Sequence, residues 1–287
     1  MPVKLIDGLS AKAVLKQENP SLVIESFCQN TRPLELAIVN LMPLKEVTEL
    51  QLLRLLGNSP LQINVTFVHM ASHISKNASA DYLSAFYCVF SEISHRNFDG
   101  MIITGAPIET LPFEKVTYWN ELTQIMDWSL TNVRSVLHIC WGAQAALYYH
   151  YGIPKYPLED KIFGVFPHTT STSSPILHGF DDVFYVPQSR HTEIRREDIE
   201  KISPLRILAE SAECGIHMLE DDRRHVFVTG HSEYDPLTLQ TEYERDLAKG
   251  SAINPPKYYS PLEVNWRAHA NLFFGNWIRY YVADMRG

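Results

Sequence analysis

The stretch SVLHICWGAQAAL, residues 135–147, passes from an apolar run into a small-residue segment of helical character, with a single cysteine at the junction. A short apolar run without polar alternation suits a strand buried on both faces, as in parallel sheets. Four further runs have this character: LELAIVNL (34–41), INVTFVHM (63–70), FDGMIITGAP (98–107) and HVFVTGH (225–231); the opening strand itself reads as VRSVLHIC (133–140). Between them lie EVTELQLLRLLGN (46–58) and VTYWNELTQIMDWSL (116–130), whose apolar residues recur at three and four positions, the spacing of one helix face. Alternating strands and helices predict an α/β fold, a mainly parallel sheet with helices on both faces.

Ligands of such sheets bind beyond the carboxyl ends of the strands. TGAPIE (104–109), CWGAQ (140–144) and GHSEYD (230–235) each follow a strand at such an end. No internal repeat or low-complexity tract interrupts the chain. GSAINPPKYYSP (250–261) reads as a loop and NWRAHANLFFGNWIRYYVADM (265–285) as a closing helix.

The 287 residues, 45% of them hydrophobic, can bury a full core. One domain over 1–287, with N-terminal and C-terminal extensions to the α/β core, is expected. The net charge of -8 comes with no Lys/Arg cluster, which argues against nucleic acid and for a small-molecule substrate. The N-terminus MPVKLIDGLSAKAVL has no apolar core or cleavage site, and no stretch stays apolar for the ~18 residues of a membrane span. A cytoplasmic protein without membrane contact is therefore expected. Cys28, Cys88, Cys140 and Cys214 form no CxxC pair, so neither a disulfide framework nor a thiolate metal site is indicated. No metal and no bound cofactor are expected, and a homodimer is left open.

A cysteine where a strand turns sharply into a helix is held on an exposed elbow, and the helix N-terminus favours its thiolate. The backbone N–H of the next residue, Trp141, falls where an acyl oxyanion would form. His231 ends a strand, and Glu233, two positions on, lies on the same side if the chain stays extended. Cys140, His231 and Glu233 are then nucleophile, base and the group that orients the base. Taken singly, each has an ordinary explanation: a packed thiol, a strand-ending histidine and a solvated carboxylate before a helix.

Taken together, the motifs resemble the homoserine O-acyltransferases, both O-acetyl and O-succinyl, within the class I glutamine amidotransferase-like superfamily. The resemblance runs nearly end to end: NLMPLKEVTELQLLRLLGNSPLQ, NFDGMIITGAPIE, YWNELTQIMDWS, CWGAQAALYYHYGIPK, GFDD, FVTGHSEYD and NWRAHANLFFGNW. It implies a flavodoxin-like fold, with Cys140 carrying the acyl group as a thioester, His231 as base and Glu233 as its partner. It also implies L-homoserine and acetyl-CoA as substrates, with homoserine bound at Lys161, Ser189 and Arg245. A guanidinium suits a carboxylate, so the chemistry of Arg245 agrees. Read alone, Lys161 and Ser189 are an ordinary surface lysine and a loop serine. Lys45, in MPLKE, reads as a solvated helix-start residue. Ser232 stands where close relatives carry proline, a change that removes no reactive group.

In the family pattern, the position held here by Glu109 separates acyl donors: glycine accompanies succinyl transfer and glutamate acetyl transfer. A succinyl carboxylate beside that of Glu109 in a partly desolvated pocket would be repelled by on the order of several kcal/mol. Without the family pattern, Glu109 reads as a helix-start residue before LPFEKVTYW. The rival activity is a glutamine amidohydrolase, which uses the same three groups. Those enzymes usually carry glycine two residues before the cysteine, where this chain has His138. A non-catalytic flavodoxin-like binding protein, with Cys140 inert, is the rival from another class.

Overall fold

The parallel centre of the sheet follows from strands with no polar side. In the computed structural model, which describes residues 3–27, 32–75, 77–251 and 253–284, the chain forms β1 (Val3–Lys4), α1 (Ser10–Glu18), β2 (Val23–Ile24), β3 (Leu34–Val39), α2 (Lys45–Gly57) and β4 (Ile63–Val68). It continues with α3 (Ala80–Phe86), β5 (Tyr87–Cys88), α4 (Phe90–Ile93), β6 (Gly100–Ile103), α5 (Trp119–Asn132), β7 (Val136–Ile139) and α6 (Trp141–Tyr151). Then come β8 (Tyr156–Thr170), β9 (Val183–Glu193), α7 (Arg196–Ile199), β10 (Arg206–Ser211), β11 (Gly215–Glu220) and β12 (His225–Val228). α8 (Thr238–Ala248) and α9 (Arg267–Asn276) close the chain, α9 running on into a π-helical turn over Trp277–Val282. Cys28 lies outside the described residues.

One sheet takes the order β2-β1-β4-β3-β6-β7-β12-β11-β10-β8-β9, with β5 added to β4. From β2 to β12 every pairing is parallel, whereas β12-β11, β11-β10, β10-β8 and β8-β9 are antiparallel. All five expected strands are present in the parallel part, each trimmed at its ends. The chain leaves β3 for β4 on one side and returns to β6 on the other, which makes the β3/β6 boundary a topological switch point.

Successive residues of one strand enter two different cores. Leu36 and Ile38 of β3 pack with α1, α2 and α9, while Ala37 and Val39 pack with α5 and α6. Because a strand's side chains alternate and both sides are covered, the run is apolar throughout. A third, small cluster joins Phe163 and Val165 of β8 to Tyr234, Leu239 and Trp266.

Among its described residues, the segment 250–261 carries no strand or helix, as expected, but it is pinned. Lys257 N–H donates to Phe163 O and Val165 N–H to Lys257 O, both at 2.9 Å. Between them sits Gly164 at φ +147°, where a Cβ would lie 2.2 Å from Lys257 O. Any side chain there would push the segment off β8.

Candidate functional site

Cys140 ends β7 and caps α6 with φ 51° and ψ -116°, a conformation rare for a side-chain-bearing residue. Its N–H is held by Val228 O of β12 at 2.7 Å. Its carbonyl accepts from Ala143 and Gln144, at 3.0 and 3.1 Å, as the first turn of α6 begins. Two glycines let neighbouring strands close on this turn. A Cβ on Gly142 would lie 2.6 Å from Thr104 O, and one on Gly105 would lie 3.2 Å from Cys140 Cβ. Both obstacles to Gly142 are backbone oxygens of one segment, Ile103 and Thr104. Gly142→Ala should therefore lower stability by ~1–3 kcal/mol, the usual scale of overpacking, in a urea melt. An unchanged midpoint would show that the end of β6 yields freely.

Trp141 is the first helical residue, so its N–H is among those that a helix cannot satisfy internally. Its indole is fully buried among Phe113 and Tyr118.

From the neighbouring strand, β12 leads through Thr229 and Gly230 to His231. Gly230 is pressed against β9, where a Cβ would meet Gln188 Nε2 at 2.6 Å and Pro187 O at 2.9 Å. His231 N–H donates to Pro187 O at 2.8 Å. The ring's Nδ1 meets Glu233 Oε1 at 2.7 Å, and Tyr234 stacks on the ring at 4.2 Å between centroids. The Cys140 side chain lies near enough to the ring to act on its charge. Burial alone would lower the His231 pKa, but the Glu233 carboxylate and Cys140 outweigh it and hold the ring well above the usual histidine value. The three side chains thus gather at the ends of β7 and β12, with His231 paired to Glu233 and within electrostatic reach of Cys140. Glu233 is not the solvated helix-start residue of its isolated reading: its side chain is 8% exposed, and the helix begins five residues later, at Thr238.

The three residues that resemblance assigns to homoserine lie together on β8, β9 and α8, beyond Tyr234. Ser189 is no loop serine but a buried residue of β9, and its hydroxyl donates to Glu242 Oε2 at 2.5 Å. Tyr234 donates to the other oxygen of Glu242 at 2.7 Å. Lys161 is no surface lysine: its side chain is 7% exposed, 3.1 Å from Asp246 and 3.9 Å from Glu242, over the Phe163 ring. Arg245 stays half exposed and holds Asp246 through Nε at 2.9 Å and Nη2 at 2.8 Å. Burial pushes Asp246 up, but Arg245 and Lys161 prevail and hold its pKa below the ordinary value. Two cations and two carboxylates so placed match the two charges of an amino-acid zwitterion. Glu242 and Asp246 escaped the sequence reading, although they flank Arg245 in EYERDL (242–247) on the same helix.

Glu109 lies in the turn after β6, four residues beyond Gly105, and starts no helix. Lys155, also unread from the sequence, holds this turn by donating to the carbonyls of Glu109 and Leu111 at 2.5 and 2.6 Å. Burial pulls Lys155 down to about 8, with Glu109 opposing. Lys45 does open α2, but it is buried rather than solvated. Its ammonium donates to Asn40 O, and burial lowers its pKa to about 8.

A cleft of ≈ 720 Å³ reaches Ser232, Glu233 and Tyr234 from the side of α2 and α9. Among the described residues, no group of three or more His, Cys, Asp or Glu side chains is arranged to hold a metal ion, and no helix is long and apolar enough to cross a membrane.

A sequence profile of the family described as homoserine O-succinyltransferase matches residues 2–286. Homoserine O-acetyltransferase of Brevibacillus brevis is 56% identical over 98% of this chain and 96% of that protein. The enzyme of the same description from Petrotoga mobilis is 57% identical over 98% and 95%, and that from Shouchella clausii 52% over 98% and 95%. Among solved structures, a glutamine amidotransferase from Thermotoga maritima aligns with TM-score 0.63 at 12% identity, over 87% of this chain and 98% of that one. A glutamine amidotransferase from Methylobacillus flagellatus aligns with TM-score 0.55 at 12% identity, over 87% and 95%. These likenesses show the class I glutamine amidotransferase-like fold.

Proposed function

The chain belongs to the homoserine O-succinyltransferase family, and on that premise we propose that it is a homoserine O-acetyltransferase acting through an acetyl-cysteine. The observation that carries the chemistry is the placing of Cys140 and the His231–Glu233 pair at the ends of two adjacent parallel strands. His231 takes the thiol proton, and the sulfur attacks the carbonyl carbon of acetyl-CoA. The oxyanion is met by the Trp141 N–H, coenzyme A leaves with a proton, and the acetyl group remains on Cys140. One thioester has replaced another, so this half-reaction is close to neutral in energy. Homoserine then binds, His231 removes its hydroxyl proton, and attack on the acetyl-cysteine forms the oxygen ester and frees the thiol.

Acetyl rather than succinyl transfer is supported by the relatives' names at 52–57% identity and by Glu109. In this reading the enzyme acts early in methionine biosynthesis, works in the cytoplasm and uses no bound cofactor. The test compares kcat/KM for acetyl-CoA and succinyl-CoA. The native enzyme should prefer acetyl-CoA, and Glu109→Gly should move the ratio toward succinyl-CoA by on the order of 10-fold or more, since removing a like charge restores at least ~1.4 kcal/mol. A native preference for succinyl-CoA would sink the acetyl reading, and an unmoved ratio in the variant would remove Glu109 as the selector.

Arg245 and Lys161 are assigned to the homoserine carboxylate, with Glu242 and Asp246 as their balancing charges. Arg245→Ala should raise the KM for homoserine by on the order of 10-fold or more, the worth of a charge-assisted hydrogen bond. Acetyl-enzyme formation, followed by mass spectrometry with acetyl-CoA alone, should continue at the native rate. An equal loss in both half-reactions would remove Arg245 from the acceptor site.

A further inference from the structure

A permanently charged guanidinium lies sealed behind the elbow. Arg190 of β9 is 2% exposed, and a buried charge is costly unless acceptors and an opposite charge face it. Its Nε donates to Gln188 Oε1 at 3.3 Å, Nη1 to Thr192 O at 2.7 Å and Nη2 to Cys214 O. All three acceptors are neutral. Burial pulls the Arg190 pKa down, and the groups that oppose burial are Cys214, Cys140 and Glu193 in that order.

Of these three, Glu193 already faces Arg195 at 3.4 Å in a partly exposed pair. Burial pushes the Cys214 thiol up, so it stays neutral, and its sulfur rests 3.4 Å from His168 Nε2. Cys140 remains as the group that becomes an anion during the reaction. The two imidazoles beside the guanidinium add no rival charge at neutral pH: burial brings His168 to about 4 and His217 well below the usual value. His231 also acts on His217.

The strand that carries Arg190 also fixes both reacting groups. Thr192 Oγ1 donates to Gln144 Oε1 at 2.8 Å, and Gln144 Nε2 returns to Thr192 O at 3.3 Å, tying β9 to the first turn of α6. Two residues before Arg190, on the other side, Gln188 packs on Gly230 and Pro187 O takes the His231 N–H. The guanidinium therefore lies between the supports of nucleophile and base.

We propose that Arg190 is a positioning residue for the nucleophile, a fixed counter-charge that favours the Cys140 thiolate from inside the protein without touching either substrate. The proposal rests on the reading of Cys140 as nucleophile. Water and salt screen little at this depth, so one full charge is felt across the cluster. Arginine fits the role because it cannot lose its proton there.

Alkylation by iodoacetamide tests it, with the Cys140 peptide followed by mass spectrometry across pH in a Cys214→Ser background. Arg190→Gln, which keeps a hydrogen bond and loses the charge, should move the pH midpoint upward by about one unit and slow alkylation near neutral pH about 10-fold. Arg190→Lys, which keeps the charge and loses the fork, should stay near the native midpoint. Arg190→Met repeats the charge loss, and if it does not fold, the Gln and Lys variants decide. An unmoved midpoint in Arg190→Gln, or equal shifts in Gln and Lys, overturns the proposal. Acetyl labelling of Cys140 in the native protein is read separately, and its absence would sink the nucleophile reading instead.

Discussion

Cys140→Ser should leave no acetyl adduct after incubation with acetyl-CoA and should lower turnover by on the order of 10⁴-fold or more, the scale seen when a nucleophile acting as part of a unit is removed. The substitution changes one atom. Serine tolerates the elbow's φ of 51° no worse than cysteine does, and the backbone bonds to Val228, Ala143 and Gln144 do not involve the side chain. Chemistry alone is altered: the hydroxyl gives up its proton far less readily than a thiol, and an acetyl-serine, being an oxygen ester, would no longer exchange evenly with a thioester. Cys88→Ser and Cys214→Ser should both keep the adduct, as should Cys28→Ser. Intact-mass spectrometry reads all four variants. An adduct that persists in Cys140→Ser, or one lost in Cys214→Ser, would move the acyl group to another residue.

Legibility in the sequence followed burial. The five strands that the sequence predicts lie between two cores, and their unbroken apolar runs state this directly, as with Leu36 to Val39. The antiparallel half was unread for the opposite reason. β8 carries Pro157, Glu159, Asp160 and Lys161 in one strand, with a register irregularity between Pro157 and Ile162, so neither period 2 nor an apolar run marks it. The closing helix was legible over Arg267–Asn276, but its widening into a π-helical turn at Trp277 left no local signal.

The same division holds at the site. Cys140, His231 and Glu233 could be found because each sits within a few residues of a strand end, where position along the chain is position in space. Lys161, Ser189 and Arg245 come from three separate elements and meet only through β8–β9 pairing and the docking of α8. Their roles could enter only by resemblance. Lys45, Lys155 and Arg190 were misread or missed because a sequence shows a cation without showing whether it is buried. Arg190 in QSRHT looks like any polar strand residue until Gln188, Thr192 and Cys214 close around it.

His231→Asn should slow both half-reactions by ~10²–10⁴-fold, the usual worth of a general base. Asparagine can still donate to Glu233, so the loop 231–235 keeps one of its ties while the proton acceptor for Cys140 is gone. The loss must appear twice, because the same ring takes the thiol proton in the first half-reaction and the homoserine hydroxyl proton in the second. Rapid-quench measurement of acetyl-enzyme formation and of its transfer to homoserine separates the two. A loss confined to one step would limit His231 to that step. The variant also has a signature in stability. A histidine whose folded pKa is raised above the unfolded value of about 6.5 binds its proton more tightly in the folded state, so folding gains most where the unfolded ring is also protonated. That gain is fully present below about pH 6.5 and is lost as pH rises through the folded value. The pairing with Glu233 and Cys140 raises His231 in this sense, against the opposing pull of burial. The difference in Tm between native protein and His231→Asn should therefore shift in favour of the variant as pH rises from 6 toward alkaline values. A difference that instead moves in favour of the native protein over that range would mean that His231 is held neutral by burial, and the thiolate–imidazolium pairing behind the mechanism would fall with it.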